Sequence, residues 1–182
     1  MLYSPKWSKA KKQLKSYICE SLRMRVDFHI INYRKAHDQL GRAVITVDKV
    51  EKVSMCTITA ERAEYARETK IRVENDHFNF DDITMNRDIQ DQAHEQLKTE
   101  GIYAQYDFFT TLEFYFNSSI EELLQSTDHL IKILTLLDRR VGKRTLLKMK
   151  ETMILEPKIV QDFYQLRCDA EGIPTDRIVV ES

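Results

Sequence analysis

The chain has 182 residues, a net charge of −1, 42% hydrophobic and 31% charged residues, which reads as a soluble folded chain long enough for one domain with a real core. The charge balance excludes a protein that holds nucleic acid through a global basic excess, so any such role must rest on a local patch. Four glycines and three prolines argue against a turn-rich all-β fold, no apolar run reaches the ~18 residues of a membrane span, and three scattered cysteines (Cys19, Cys56, Cys168) suit reduced thiols rather than a disulfide framework.

A first helix is expected over residues 5–22. Ser4 can cap it, and Pro5 suits a first helical position because its missing amide proton would be an orphan there. Trp7, Ala10, Leu14, Tyr17, Ile18 and Leu22 make one apolar face, and Lys6, Lys9, Lys11, Lys12 and Lys15 cover the rest. Lysine stems can lie beside a packed stripe. A basic helix can also rest on an acidic partner or a membrane surface, but Trp7 falls on the stripe a core would claim.

The sheet region is expected over 25–59. Residues 26–33 (VDFHIINY) are rich in β-formers and alternate at first; residues 43–48 (AVITVD) and 53–59 (VSMCTIT) read as second and third strands. Short polar links make an antiparallel meander the default. Residues 60–84 can be helix by propensity, but their apolar stripe is only alanines plus Tyr65, and HFNFDD reads as a loop.

The helical region is expected over 85–173. Thr84 or Asn86 caps a helix through Ile89, Ala93 and Leu97, which Gly101 ends. Residues 106–116 place Phe108, Phe109, Leu112, Tyr115 and Phe116 at helical spacing, a core stripe. Ser119 and Glu122 have capping-box spacing. From there the pattern predicts one long helix to about Val141, with Thr127 contributing a methyl to the stripe and a second half apolar nearly all round. Gly142 would end it in the left-handed conformation, with Arg139 and Arg140 at the negative end of its dipole. A further helix follows from Leu146. The last begins at Pro157 and closes at Gly172, with Ile173 placed for a cap contact; the tail 174–182 can add an edge strand or fray. The expected fold class is α+β: a small N-terminal antiparallel sheet of about three strands packed with a mostly helical C-terminal half, in a single domain over 1–182.

The run Asp138-Arg139-Arg140-Val141-Gly142-Lys143-Arg144 is the strongest local signal. Arg139, Arg140, Lys143 and Arg144 can hold an anion such as a phosphate, helped by amides at a new helix start. The same cations can instead cap carbonyls and pair with Asp138 and nearby acids. A DNA-reading helix-turn-helix fits the turn glycine but not the overall charge. A nucleotide P-loop lacks its upstream glycine and preceding strand.

This run, together with YRKAHDQLGRAVITVD at 33–48, SIEELLQSTDHLIKIL at 119–134, FYQLRCDAEGI at 163–173 and the N-terminal KWSKAKKQL, resembles a family of small uncharacterised bacterial proteins with no assigned activity. The resemblance implies a bacterial or phage cytoplasmic protein and brings no substrate, cofactor or catalytic residue.

Among the five histidines, no two stand at i, i+4 and no HExxH occurs. His37 and Asp38, in the link beside Arg34, Lys35 and Arg42, are the candidates for acid–base chemistry near a phosphate, and a solvated turn explains them equally. Asp88, Asp91 and Glu95 share a helical face, with His94 one residue off; metal sites usually draw ligands from several elements, so this face is read as solvated and no metal is expected. Cys56 has no visible activating neighbour. With no nucleophile elbow and no nucleotide-binding glycine loop, no cofactor is expected. The reading is a cytoplasmic, non-enzymatic interaction or regulatory protein with an anion or nucleic-acid contact at 139–144. Its partner is an unknown protein, a homodimer through an exposed helical face is open, and no membrane is involved. The alternative is an enzyme on a phosphate-bearing substrate with His37 as acid/base, which requires His37 and the 139–144 turn to line one pocket.

Overall fold

The structure, a computed structural model, describes residues 7–33 and 40–174. These form a three-stranded antiparallel sheet followed by mostly helical chain, so the fold class is α+β. The described residues cluster into two compact units that alternate along the sequence: one takes 7–29, 45–53 and 110–174, the other 30–33, 40–44 and 54–109.

Helix α1 (Trp7–Tyr17) opens the first unit and buries Ala10 and Leu14. It is shorter than the expected 5–22. Residues 5 and 6 lie outside the described residues, and at the other end the chain leaves the helix at Ile18 to make a bridge with Asp138, followed by a 3-10 turn at Glu20–Leu22. Its lysines are not all solvated: Lys11 and Lys15 reach Asp27 at 2.9 and 3.3 Å, and Lys15 donates to the Val26 carbonyl at 2.8 Å.

The strands are β1 (Val26–Asn32), β2 (Gly41–Val47) and β3 (Val50–Cys56), in the order β1-β2-β3. β2 and β3 meet in a two-residue turn, Asp48-Lys49, with φ of 51° and 68°. Two successive left-handed residues define the turn whose twist matches a hairpin, a place usually taken by Asn-Gly. Asp48 suits it because its carboxylate is held by Arg25 at 2.7 Å while its amide donates to the Arg25 carbonyl at 2.8 Å. The expected third strand, 53–59, therefore begins earlier, at Val50, and stops at Cys56. Residues 57–59 instead open α2 (Thr57–Glu74). Within the second unit, Gly41 lets β2 start against β1: a Cβ there would stand 2.5 Å from the Ile31 carbonyl oxygen.

Helix α2 settles the ambiguous stretch. Its thin stripe, mostly alanine, is sufficient because α3 (Ile83–Thr99) packs along it, with Ile71, Ile89 and Ala93 as a buried cluster and Arg67 bridging to Gln96 and Glu100 at 2.8–2.9 Å. Tyr65, assigned to that stripe, is exposed. The cap of α3 is Asp82, which accepts from the Met85 amide; Asn86 is taken by the Arg72 guanidinium at 2.6 Å. Helix α4 (Gln105–Asn117) follows the aromatic stripe as expected.

The expected long helix is two helices. The Ser119–Glu122 capping box is formed and starts α5 (Ile120–Gln125). The chain then breaks at 126–128 before α6 (His129–Leu137). The Asp128 carboxylate accepts from the Leu130 and Ile131 amides, and the Ser126 hydroxyl accepts from the Asp128 amide at 3.2 Å. Short polar side chains compete with the helix for its own donors, and Ser126 and Asp128 win here. Thr127 is exposed, not part of a stripe. α6 is the buried centre of the first unit, with seven of its residues out of solvent. Helices α7 (Lys143–Met153) and α8 (Lys158–Glu171) complete the unit; α8 starts after Pro157 and ends at Gly172, where φ is 66° and the Ile173 amide closes the cap on Cys168.

Candidate functional site

The 138–144 run connects α6 to α7 and is knitted into the first unit from four directions. α6 ends at Leu137, well before Gly142, and Asp138 is extended. Its neighbours pair with the chain after α1: the Cys19 amide donates to the Leu137 carbonyl at 2.9 Å and the Arg139 amide to the Tyr17 carbonyl at 2.7 Å. Asp138 is 0% exposed. Its Oδ1 accepts from the Arg140 amide at 2.7 Å, and its Oδ2 accepts from the Arg140 guanidinium at 2.8 and 3.0 Å and from the Tyr115 hydroxyl. Arg140 also lies over the Tyr17 ring, 4.6 Å from its centroid. A buried carboxylate is costly unless paired and hydrogen-bonded, and this one is both.

Arg167 of α8 lies below the turn, 3% exposed, donating to the Val141 carbonyl at 3.0 Å and the Leu137 carbonyl at 3.5 Å, with Glu171 3.5 Å away. Lys143 donates to the Glu171 carbonyl at 2.7 Å, where a cation meets the negative end of α8. Gly142 has φ −86° and caps the start of α7, so the left-handed helix end expected there is not formed, and Arg139 and Arg140 lie in the turn rather than in a last helical turn.

Of the four cations singled out by sequence, Arg140 and Lys143 are thus engaged by the fold. Arg139 and Arg144 are exposed, and Gly142 gives α7 no side-chain cap. The first turn of α7 carries no acidic residue, and its amides are donors that a helix start leaves over. His37 and Asp38 lie outside the described residues.

Burial drives the Tyr115 hydroxyl well above its ordinary 10, with the Asp138 charge adding to it, and burial likewise raises Tyr164, whose hydroxyl donates to the Leu146 carbonyl. Both therefore ionise more easily when unfolded. The stability they contribute is full below pH 10 and lost as pH rises beyond it. An ultraviolet absorbance titration is expected to show exposed tyrosines ionising first and a buried class appearing only with alkaline unfolding; Tyr164→Phe removes one residue from that class.

Sequence reasoning missed two polar arrangements. In the second unit, His94 leaves the Asp88–Asp91–Glu95 face and sits between Asp107 at 3.0 Å and Glu64 at 3.5 Å, stacked on Tyr106. Burial raises the Asp107 carboxyl, opposed by the Ala104 amide it accepts from at 2.7 Å and by His94. Burial and the neighbouring Glu64 and Asp107 push Tyr106 up to about 12. The partners come from α2 and α4, which no spacing rule along α3 could supply. In the first unit, His29 stands 3.6 Å from Asp27 and 3.4 Å from the Thr46 hydroxyl in an open groove of about 680 Å³. Among the described residues no group of three or more His, Cys, Asp or Glu is placed to hold a metal ion.

Cys56 ends β3 at the N-terminus of α2. Burial works to raise its thiol, but the Tyr33 and Thr59 side chains and the Thr59 and Ile58 amides outweigh it and bring it below its ordinary value. Cys168 is pushed up by burial, and Cys19 is buried. Iodoacetamide is therefore expected to label Cys56 first, read by peptide mass spectrometry; Cys56→Ser should remove the fast phase.

No helix among the described residues is long and apolar enough to cross a membrane. No curated protein and no solved structure matches the chain. A family model matches residues 6–168, and the chain belongs to that family, the uncharacterised SF0329 protein family.

Proposed function

We propose that this is a non-enzymatic interaction or regulatory protein that contacts an anionic partner, acidic or phosphate-bearing, through Arg139, Arg144 and the amide end of α7. The observation that carries the reading is the division of labour within the basic turn. Arg140 and Lys143 hold the turn in place through Asp138 and Glu171, while Arg139 and Arg144 face solvent beside an uncapped helix start. A rigid turn with two exposed guanidiniums binds an anion with little ordering cost, because the backbone is fixed beforehand. Guanidiniums also suit the planar, two-pronged recognition of carboxylate or phosphate. Exposed Leu147 and Lys148 extend the same helix start with apolar and cationic surface.

The test is fluorescence anisotropy with a labelled single-stranded oligonucleotide and with a labelled poly-glutamate peptide, across a salt series. Arg139→Gln with Arg144→Gln is expected to weaken binding about tenfold and to flatten the oligonucleotide's salt dependence by roughly two contacts. Both residues are exposed, so the fold should be unchanged by circular dichroism. Equal binding by parent and variant, or no binding of either polyanion, overturns the reading.

A further inference from the structure

The second unit carries an apolar surface of its own. α2 and α3 run antiparallel: Arg67 reaches Gln96 and Glu100, and Arg72, further along α2, reaches Asn86 near the start of α3. The link 75–82 is therefore the tip of a helical hairpin. Of the fourteen large apolar residues exposed among the described residues, five fall between 73 and 85: Val73, Phe78, Phe80, Ile83 and Met85. Apolar side chains exposed singly need no explanation, but a set gathered at one place marks a surface that meets another molecule.

The fold holds this tip from beneath. Arg72 is 9% exposed, and its guanidinium lies 5.0 Å from the Phe80 ring centroid while donating to the Asn86 side chain at 2.6 Å. The Asn86 side-chain amide donates to the Phe80 carbonyl at 2.8 Å, and the His77 amide donates to the Arg72 carbonyl at 2.9 Å. A nearly buried arginine thus positions a phenylalanine that remains 69% exposed. An aromatic residue fixed in water adds little to a core, but it binds with little ordering cost.

The charge selects the partner. Each Lys and Arg of 70–91 already has an acid: Lys70 has Glu74 at 3.8 Å, Arg72 has Glu68 at 3.9 Å and Arg87 has Asp91 at 4.0 Å. Asp76, Asp81, Asp82 and Asp88 are exposed and have no ion-pair partner among the described residues. Four unpaired carboxylates therefore accompany the apolar residues of the tip. Such a rim attracts cationic side chains and is repelled by the anionic headgroups of a membrane surface.

We infer that the α2–α3 tip docks a different protein, through a segment of it that carries apolar and basic residues together. This surface takes a cation, whereas the basic turn takes an anion, and neither reading depends on the other.

The experiment titrates the full chain with a labelled amphipathic peptide of leucine and lysine at helical spacing, read by fluorescence anisotropy. Saturable binding is expected, and a leucine–glutamate peptide of the same spacing should not bind. Phe78→Ser with Ile83→Ser, both at exposed positions, should weaken binding at least about tenfold. Asp76→Asn, Asp81→Asn and Asp88→Asn together should weaken it about fivefold and flatten its salt dependence. Circular dichroism checks that both variants keep the fold. Absence of saturable binding, equal binding of the two peptides, or equal binding by parent and the Phe78/Ile83 variant overturns the proposal. So does binding to phosphatidylcholine vesicles that requires Phe78 and Ile83 and displaces the peptide, because a membrane would then be the occupant. Sedimentation showing self-association that the same variant abolishes overturns it too, because the occupant would be a second copy.

Discussion

Asp138→Ala is expected to destabilise the protein by about 3–5 kcal/mol, the range for breaking a buried, hydrogen-bonded charge pair from one side. The carboxylate is fully buried and accepts from the Arg140 amide, the Arg140 guanidinium and the Tyr115 hydroxyl. Its removal leaves a buried phenol and a main-chain amide without acceptors and frees a guanidinium stacked on Tyr17. Asp138→Asn keeps an acceptor at the same place and loses only the charge, so its cost should be smaller, about 1–3 kcal/mol. Urea unfolding followed by circular dichroism measures both. A double-mutant cycle with Arg140→Ala should show a coupling of about 1 kcal/mol or more, discounted from a fully buried pair because the Arg140 side chain is 30% exposed. A cost below about 1 kcal/mol for the alanine variant would mean that the turn is not anchored by this carboxylate.

Arg167→Ala is expected to cost about 3 kcal/mol. The side chain is 3% exposed and supplies donors to the Leu137 and Val141 carbonyls, the end of α6 and the middle of the turn. Without it those carbonyls lose a partner and a cavity opens beneath the turn. Arg167→Met restores most of the volume but none of the donors, so it separates the two contributions: recovery of about half the loss assigns that half to packing. The variant also bears on function. A loosened turn should weaken anion binding at Arg139 and Arg144 in proportion to the lost order, because Arg167 supports the turn through the Leu137 and Val141 carbonyls.

The fold was legible in sequence wherever a local rule had no competitor. The capping box at Ser119 and Glu122, the Gly172 helix end with its Ile173 contact and the aromatic stripe of α4 formed as their spacing implied. Failures came where two local rules competed. Apolar period carried the reading straight through 126–128, but Ser126 and Asp128 spend their side chains on main-chain amides and cut the helix. Gly142 fitted a helix end, yet α6 had already ended at Leu137, where Leu137 and Arg139 bond to Cys19 and Tyr17 around the Ile18–Asp138 bridge, partners from the far side of the sequence. The candidate site was visible as a cluster of charge. Its partition was not, because which cation is engaged depends on Tyr17 and Tyr115 beside Arg140 and on Glu171 beside Lys143, none adjacent to the run. The Asp48-Lys49 turn was hidden for a different reason: it uses neither glycine nor asparagine and relies on Arg25.

The alternation of the two units along the chain has a consequence for synthesis on the ribosome. The second unit is complete once residue 109 has emerged. The first is not: α1 is made before the second unit, but Ile18 finds its bridge partner only when Asp138 is made, and the Arg167 that supports that turn comes later still. The end of α1 and the residues after it, Tyr17 to Cys19, must therefore wait for their main-chain partners at 137–139 and for the Tyr115 and Phe116 rings. The four lysines of α1, Lys9, Lys11, Lys12 and Lys15, offer a reason why that wait is tolerated, since like charges along a nascent helix keep neighbouring chains apart until 137–139 arrive.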